Sequence, residues 1–131
     1  MNKAEKRKER PVFTGVLRYF PDAIMEIAKV SLQGNKQHHP DKPLHWDRNK
    51  SNDDFDALAR HLIDAGTVDD DGIRHTAKVA WRALACLQKE LESESKERYI
   101  EQYNRNRAVK DQISHDDIIT GTESAYVDGG V

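Results

Sequence analysis

The sequence predicts an all-α fold, a small helical bundle with a long loop between its first and second helices. Three observations carry this prediction. Apolar residues recur at intervals of three and four in three separate segments, no segment alternates with period two, and Gly, Pro and Asn clusters separate the segments. A chain of 131 residues holds one domain. Its hydrophobic share of 37% falls short of the usual globular value even with glycine added, so part of the chain contributes no core.

The elements follow in order. Residues 1–10 carry Lys3, Lys6, Arg7, Lys8 and Arg10 against Glu5 and Glu9, and read as a basic, solvated N-terminal tail. The first helix is expected over 21–33, because Pro21 suits a first turn, Ile24, Ile27, Ala28 and Leu32 recur at helical spacing, and Gly34 supplies a stop. Residues 35–52, with Pro40, Pro43, His38, His39 and His45, read as a loop, and a loop of this length in a compact domain is usually functional. The second helix is expected over 53–65, capped by Ser51 or Asn52, with Phe55, Leu58, Leu62 and Ala65 on one face and Gly66 at its end. After a turn over 67–72, the third is expected over 73–92. Its seam is Ala77, Ala80, Leu84, Leu87 and Leu91, and a polar continuation runs to 110. Residues 111–131 hold five acids and no Lys or Arg, and from Ile118 onward they lack a helical period. That segment reads as an acidic disordered tail, which leaves 11–110 as the folded domain.

Composition excludes several classes. The lone Cys86 allows no internal disulfide and no cysteine zinc finger. No apolar run approaches a membrane span and the first ten residues are unlike a signal peptide, so a cytoplasmic protein is expected. A net charge of −2 argues against a primary nucleic-acid role. The same conclusion follows from helix three, whose basic residues Arg74, Lys78, Arg82 and Lys89 form no concentrated stripe with polar readers. No P-loop and no nucleophile elbow is present.

The residues able to do chemistry lie around helix two. Asp53, Asp56, Arg60 and Asp64 fall on one side of it, opposite the apolar face. One reading is a solvated face of ordinary helix pairs; the other is Mg2+ bound by hard oxygen ligands, with Arg60 meeting a phosphate. His61 neighbours this stripe and His75 opens helix three. In the turn before it, Asp71 is placed to cap the helix, leaving Asp69 free. Glu26, in otherwise apolar company, is either half of a surface ion pair or a metal ligand facing helix two.

The order of motifs carries a resemblance: P-D-A-I-M-E-I-A-K-V at 21–30, G-N-K-Q-H at 34–38, H-W at 45–46, D-A-L-A-R-H at 56–61, and D-D-D-G-I-R-H at 69–75. Over about residues 11–92 the chain resembles the N-terminal domain of phage dATP/dGTP diphosphohydrolases, a branch similar to the all-α, MazG-like nucleoside triphosphate pyrophosphatases. The resemblance implies a Mg2+- or Mn2+-dependent enzyme that splits a deoxynucleoside triphosphate into monophosphate and pyrophosphate, and that works as an oligomer. It places Glu26 at the family's helix-one acid and His38 and Trp46 in its loop motif, while Asp56, Arg60, His61, Asp69 and His75 match directly. MazG-like enzymes proper carry E-E-x-x-E on one helix, where this chain has Glu26 alone, and Asp53-x-x-Asp56 is a shortened form of their second motif.

Electrostatics points the same way, since four carboxylates repel a triphosphate unless a divalent cation mediates. The expected metal ligands are therefore Glu26, Asp53, Asp56 and Asp69. Arg60 is expected to neutralise the leaving pyrophosphate with Lys36 or Lys78, and His61 or His75 to act as base or to orient the water. Trp46 is either a base-stacking surface or a plug for the core. The competing function is a phage accessory protein that keeps the helical scaffold without catalysis and uses its basic and acidic tails to bind a host or replication partner; acids splayed apart favour it. A homodimer along helix three is expected, because Trp81, Ala83, Ala85 and Cys86 widen its apolar arc beyond what two short helices cover.

Overall fold

The structure is a computed structural model that describes the backbone of residues 1–120 and side chains through residue 114. It is all-α. The order is α1 (Lys3–Lys8), a π-helical turn (Phe13–Leu17), α2 (Pro21–His38), α3 (Asp54–Ile63) and α4 (His75–Thr120). Among the described residues there is no strand, only an isolated bridge between Val68 and Arg74.

The basic N-terminal run is helical in part, because Asn2 and Glu5 form a reciprocal capping box: each side chain accepts a hydrogen bond from the other's backbone N–H. Every residue of α1 is exposed.

Helix α2 continues four residues past the expected stop at Gly34, to His38. The cause is Asn35, a buried side chain whose Nδ2 donates to the Lys42 carbonyl at 3.0 Å and whose Oδ1 accepts from the His45 N–H at 3.4 Å. These bonds tie the last turn of α2 to the following loop. A glycine in mid-helix costs only about 1 kcal/mol, so it did not decide the boundary. Helix α3 lies within its expected range. Between α3 and α4, Gly66 and Gly72 adopt φ of 91° and 79°, a left-handed backbone that reverses the chain twice in seven residues. The N–H of Asp69 donates to the Ile73 carbonyl at 2.9 Å and that of His75 to the Thr67 carbonyl at 3.1 Å, which closes the turn.

The chain divides into two compact units, Met1–Lys89 and the part beginning at Glu90. In the first unit the buried apolar residues are small or medium in size: Ala57, Ile73, Ala77, Ala85 and Cys86. Polar ties complement them. Trp81 Nε1 donates to Ser31 Oγ at 2.8 Å, joining α4 to α2, and Arg82 pairs with Asp54 at 2.7 Å, joining α4 to α3. The expected seam is buried only at its start: Ala77 is covered, while Leu84 and Leu87 are 50% and 51% exposed.

The second unit contains the rest of α4, with Leu91, Tyr99, Ile100 and Tyr103 exposed. It is supported by short-range side-chain bonds such as Gln102 Nε2 to Asn106 Oδ1 at 2.9 Å. Because α4 extends to Thr120, residues 111–120 are helical where an acidic disordered tail was expected. The rest of that tail, 121–131, lies outside the described residues.

Candidate functional site

A cavity of about 380 Å³ opens in the first unit between the C-terminal half of α2, the loop after it, α3 and the first four turns of α4. Each element places polar groups on its wall for a local reason. The α2 end and its loop bring His38, His39, His45 and Trp46, held there by the Asn35 bonds. Helix α3 contributes Asp54 and His61, seven residues apart and so on one face. Helix α4 contributes Lys78, Trp81, Arg82 and Lys89. The rings of Trp46 and Trp81 meet edge to face at a centroid distance of 5.8 Å and close one wall.

Between α3 and α4 three side chains able to ligate a metal converge. His61 Nδ1 and His75 Nδ1 lie 3.0 Å apart, and Asp69 Oδ1 lies 4.0 Å from His75 Nε2. One ligand atom from each of His61, Asp69 and His75 falls within 4.8 Å of the others. Two imidazole nitrogens on one tetrahedral ion, with bonds of 2.0–2.1 Å, stand roughly 3.3 Å apart, close to the approach seen. Burial, then the positive charge of Lys78 and the neighbouring His75, lowers the pKa of His61, which keeps its ring neutral and its lone pair available. Asp69 is held ionised: the hydrogen bond from Lys78 and one from the Asp70 N–H bring its pKa down to about 2. The residues therefore fit a divalent ion with two nitrogen ligands and one oxygen ligand, and three ligands leave positions open for a substrate.

Lys78 is the hinge of this corner. Its Nζ donates to Asp69 Oδ2 at 2.7 Å and to Asp71 Oδ2 at 2.6 Å, and Asp71 Oδ1 in turn accepts from the Ile73 N–H at 3.0 Å. Farther along the cavity, Arg82 Nη1 and Lys89 Nζ both donate to the buried Asp54 carboxylate. Burial pushes the Asp54 pKa up, and the bonds and charges of Lys89 and Arg82 outweigh it, so the group stays ionised.

The structure brings together part of the constellation expected from sequence. His61, Asp69, His75 and Lys78 form one corner, and His38 and Trp46 line the cavity. The other acids stand elsewhere. Glu26 pairs with Lys29 at 2.5 Å on the α2 surface, Asp53 pairs with Arg60 at 2.8 Å with both side chains more than half exposed, and Asp56 is exposed. Lys36 is exposed and outside the cavity wall. The carboxylates thus splay apart, and what converges is a pair of histidines with Asp69. Asp69, expected to be free, and Asp71, expected to cap the helix, are both bound by Lys78, and sequence reasoning missed that Asp54, Trp81, Arg82 and Lys89 line the cavity. One signal was available: Lys78, Arg82 and Lys89, four and seven residues apart, share a helix face with Trp81 beside them.

The family model described as "dATP/dGTP diphosphohydrolase, N-terminal" matches residues 1–99. No curated protein and no solved structure matches the chain.

Proposed function

The chain belongs to the dATP/dGTP diphosphohydrolase N-terminal family, and from that premise we propose that it hydrolyses a deoxynucleoside triphosphate to the monophosphate and pyrophosphate. The observation that supports this most directly is the convergence of His61, Asp69 and His75, of which His61 lines a cavity walled by cations and tryptophans. In this reading those three residues hold a divalent ion, which supplies Lewis-acid stabilisation of charge on the phosphoryl oxygens. Nitrogen ligands favour Mn2+ or another first-row ion over Mg2+.

The chain's own groups do the rest. Lys78 fixes Asp69 and Asp71, so the corner is ordered before substrate arrives. The cavity holds the nucleotide, and half-buried Trp46, with Arg48 4.3 Å and Lys89 Nζ 6.0 Å from its ring centroid, stands at the cationic end of it. Asp69 is already engaged by Lys78, so Lys78 neutralises a phosphate only as a shared cation. Arg60 is free to act only if it leaves Asp53.

The accessory-protein alternative draws on the splayed Glu26, Asp53 and Asp56. One assay separates the readings: incubation with each dNTP and Mg2+ or Mn2+, followed by chromatography for monophosphate and pyrophosphate. Release of both products supports hydrolysis; intact dNTP with every metal overturns it. We further propose a homodimer along α4, supported by the half-exposed Leu84 and Leu87.

A further inference from the structure

We propose that Arg82 and Lys89 form the subsite for the polyphosphate tail of the ligand, with Asp54 held between them as an internal anion whose place a phosphate takes. The proposal rests on the nucleotide reading of the cavity and names which end of it receives the phosphates.

The argument begins with helix geometry. Lys78, Arg82 and Lys89 lie at i, i+4 and i+11 on α4, within about 40° of one another around the axis. All three line the cavity. Lys78 ends the row against Asp69, at the metal-ligating corner, and Arg82 follows one turn or ~6 Å along the axis. A triphosphate whose reacting phosphorus sits at the corner therefore extends its remaining phosphates toward Arg82 and Lys89.

Charge decides between the two ends of the row. At the corner one cation serves two carboxylates, Asp69 and Asp71. At the far end two cations share one carboxylate: Arg82 Nη1 meets Asp54 Oδ1 at 2.7 Å and Lys89 Nζ meets Oδ2 at 2.5 Å. All three line the cavity, but Asp54 is buried while Arg82 and Lys89 keep 28% and 29% of their side chains exposed, so the cations are the more accessible partners. Ser51 fixes both from one side, its Oγ 3.3 Å from Arg82 and its carbonyl accepting from Lys89 at 3.2 Å. A guanidinium has five donors and an ammonium three, which leaves capacity for a phosphate beyond these bonds. Displacing or sharing Asp54 lets the site exchange one anion for another, and the two cations need not be left unpaired in the empty protein.

Inorganic pyrophosphate, titrated by calorimetry into the full chain with EDTA present, tests the subsite without the metal corner. Wild type should bind, and Arg82→Gln and Lys89→Gln should each weaken binding about tenfold, the loss of one charge-assisted bond. Asp54→Asn should tighten it several-fold, because the competing anion is gone. That gain has the opposite sign to any folding defect. The double variant Asp54→Asn with Arg82→Gln leaves no uncompensated buried carboxylate and should bind less tightly than Asp54→Asn alone. Equal affinities across the set, or weakening by Asp54→Asn, overturn the subsite. If no dNTP is hydrolysed and this ranking is still found, the hydrolase reading falls and the subsite stands. Hydrolysis with a flat ranking removes the subsite alone.

Discussion

The Nδ1 atoms of His61 and His75 lie 3.0 Å apart, although the residues belong to different helices. Two imidazoles that face each other through the same nitrogen must share a single proton, one donating and one accepting, or share an ion. The Gly66 and Gly72 turns create the contact by returning the chain so that the start of α4 meets the end of α3.

If the pair and Asp69 hold an ion, removing any one of them removes most of the affinity. His75→Ala and Asp69→Asn should each weaken Mn2+ binding at least about 100-fold by calorimetry, since outer partners of a metal site alone are worth ~10–100-fold. EDTA should abolish turnover. Unchanged Mn2+ affinity in His75→Ala would exclude the corner as the metal site.

The donor set also ranks the metals. Two nitrogens and a carboxylate should bind Mn2+, Co2+ and Zn2+ more tightly than Mg2+, in an order of increasing affinity along the first transition row. Competition titrations against a metallochromic dye measure this. Equal affinity for Mg2+ and Mn2+ would point to an all-oxygen site formed elsewhere.

Arg60→Lys separates the two roles the sequence left open for the helix-two stripe. With Arg60 in an exposed pair with Asp53, kcat/KM should stay within about twofold of wild type, as exposed pairs contribute little. A large loss with an unchanged fold would place the guanidinium on bound nucleotide, since lysine does not reproduce its fork.

Acid should destabilise the protein through His39. Burial of its ring, then the charges of Lys50, His45 and Lys42, with Asp47 opposing, lowers its pKa below 6.5, and its Nε2 is buried without a partner. The unfolded chain therefore takes up this proton first as pH falls. Stability is full above about pH 6.5 and declines below it until the folded protein titrates as well. Urea melts across that range should show the decline, and His39→Gln should reduce it. An identical pH dependence in the variant would rule His39 out as its source.

Leu84→Glu tests the dimer. Light scattering of wild type at micromolar concentration should give twice 15.0 kDa, and the variant should give the single-chain mass. A wild-type mass of one chain refutes the assembly.

How far the sequence was legible depends on which physical level set each feature. Helical period placed α3 well, and the glycine and aspartate pattern at 66–72 marked the turn that positions Asp69 and His75. Tertiary bonds set the rest. Gly34 carried a stop signal, but Asn35 bonding forward to Lys42 and His45 extended α2 past it, and no local pattern displays a contact seven to ten residues ahead. The stripe Asp53, Asp56 and Arg60 showed correctly that these residues share a face. Period alone does not say whether a face turns inward; here the cavity received Asp54, one residue along from Asp53, and His61, one along from Arg60. His61, Asp69 and His75 were each named from sequence, the histidines as proton carriers and the aspartate as a ligand. Only the folded turn puts them in one corner.

The interior of the first unit is made of alanines, one isoleucine and a cysteine, while charged and aromatic side chains from α2, α3 and α4 meet around an open cavity. On the nucleotide reading proposed above, the ligand fills this centre. Occupancy then contributes to persistence of the folded chain by mass action, with stabilisation that grows as the logarithm of free ligand over its dissociation constant. In a cell whose nucleotide pool rises and falls, resistance of this chain to proteases should rise and fall with it, so that the amount of protein follows the supply of its own ligand.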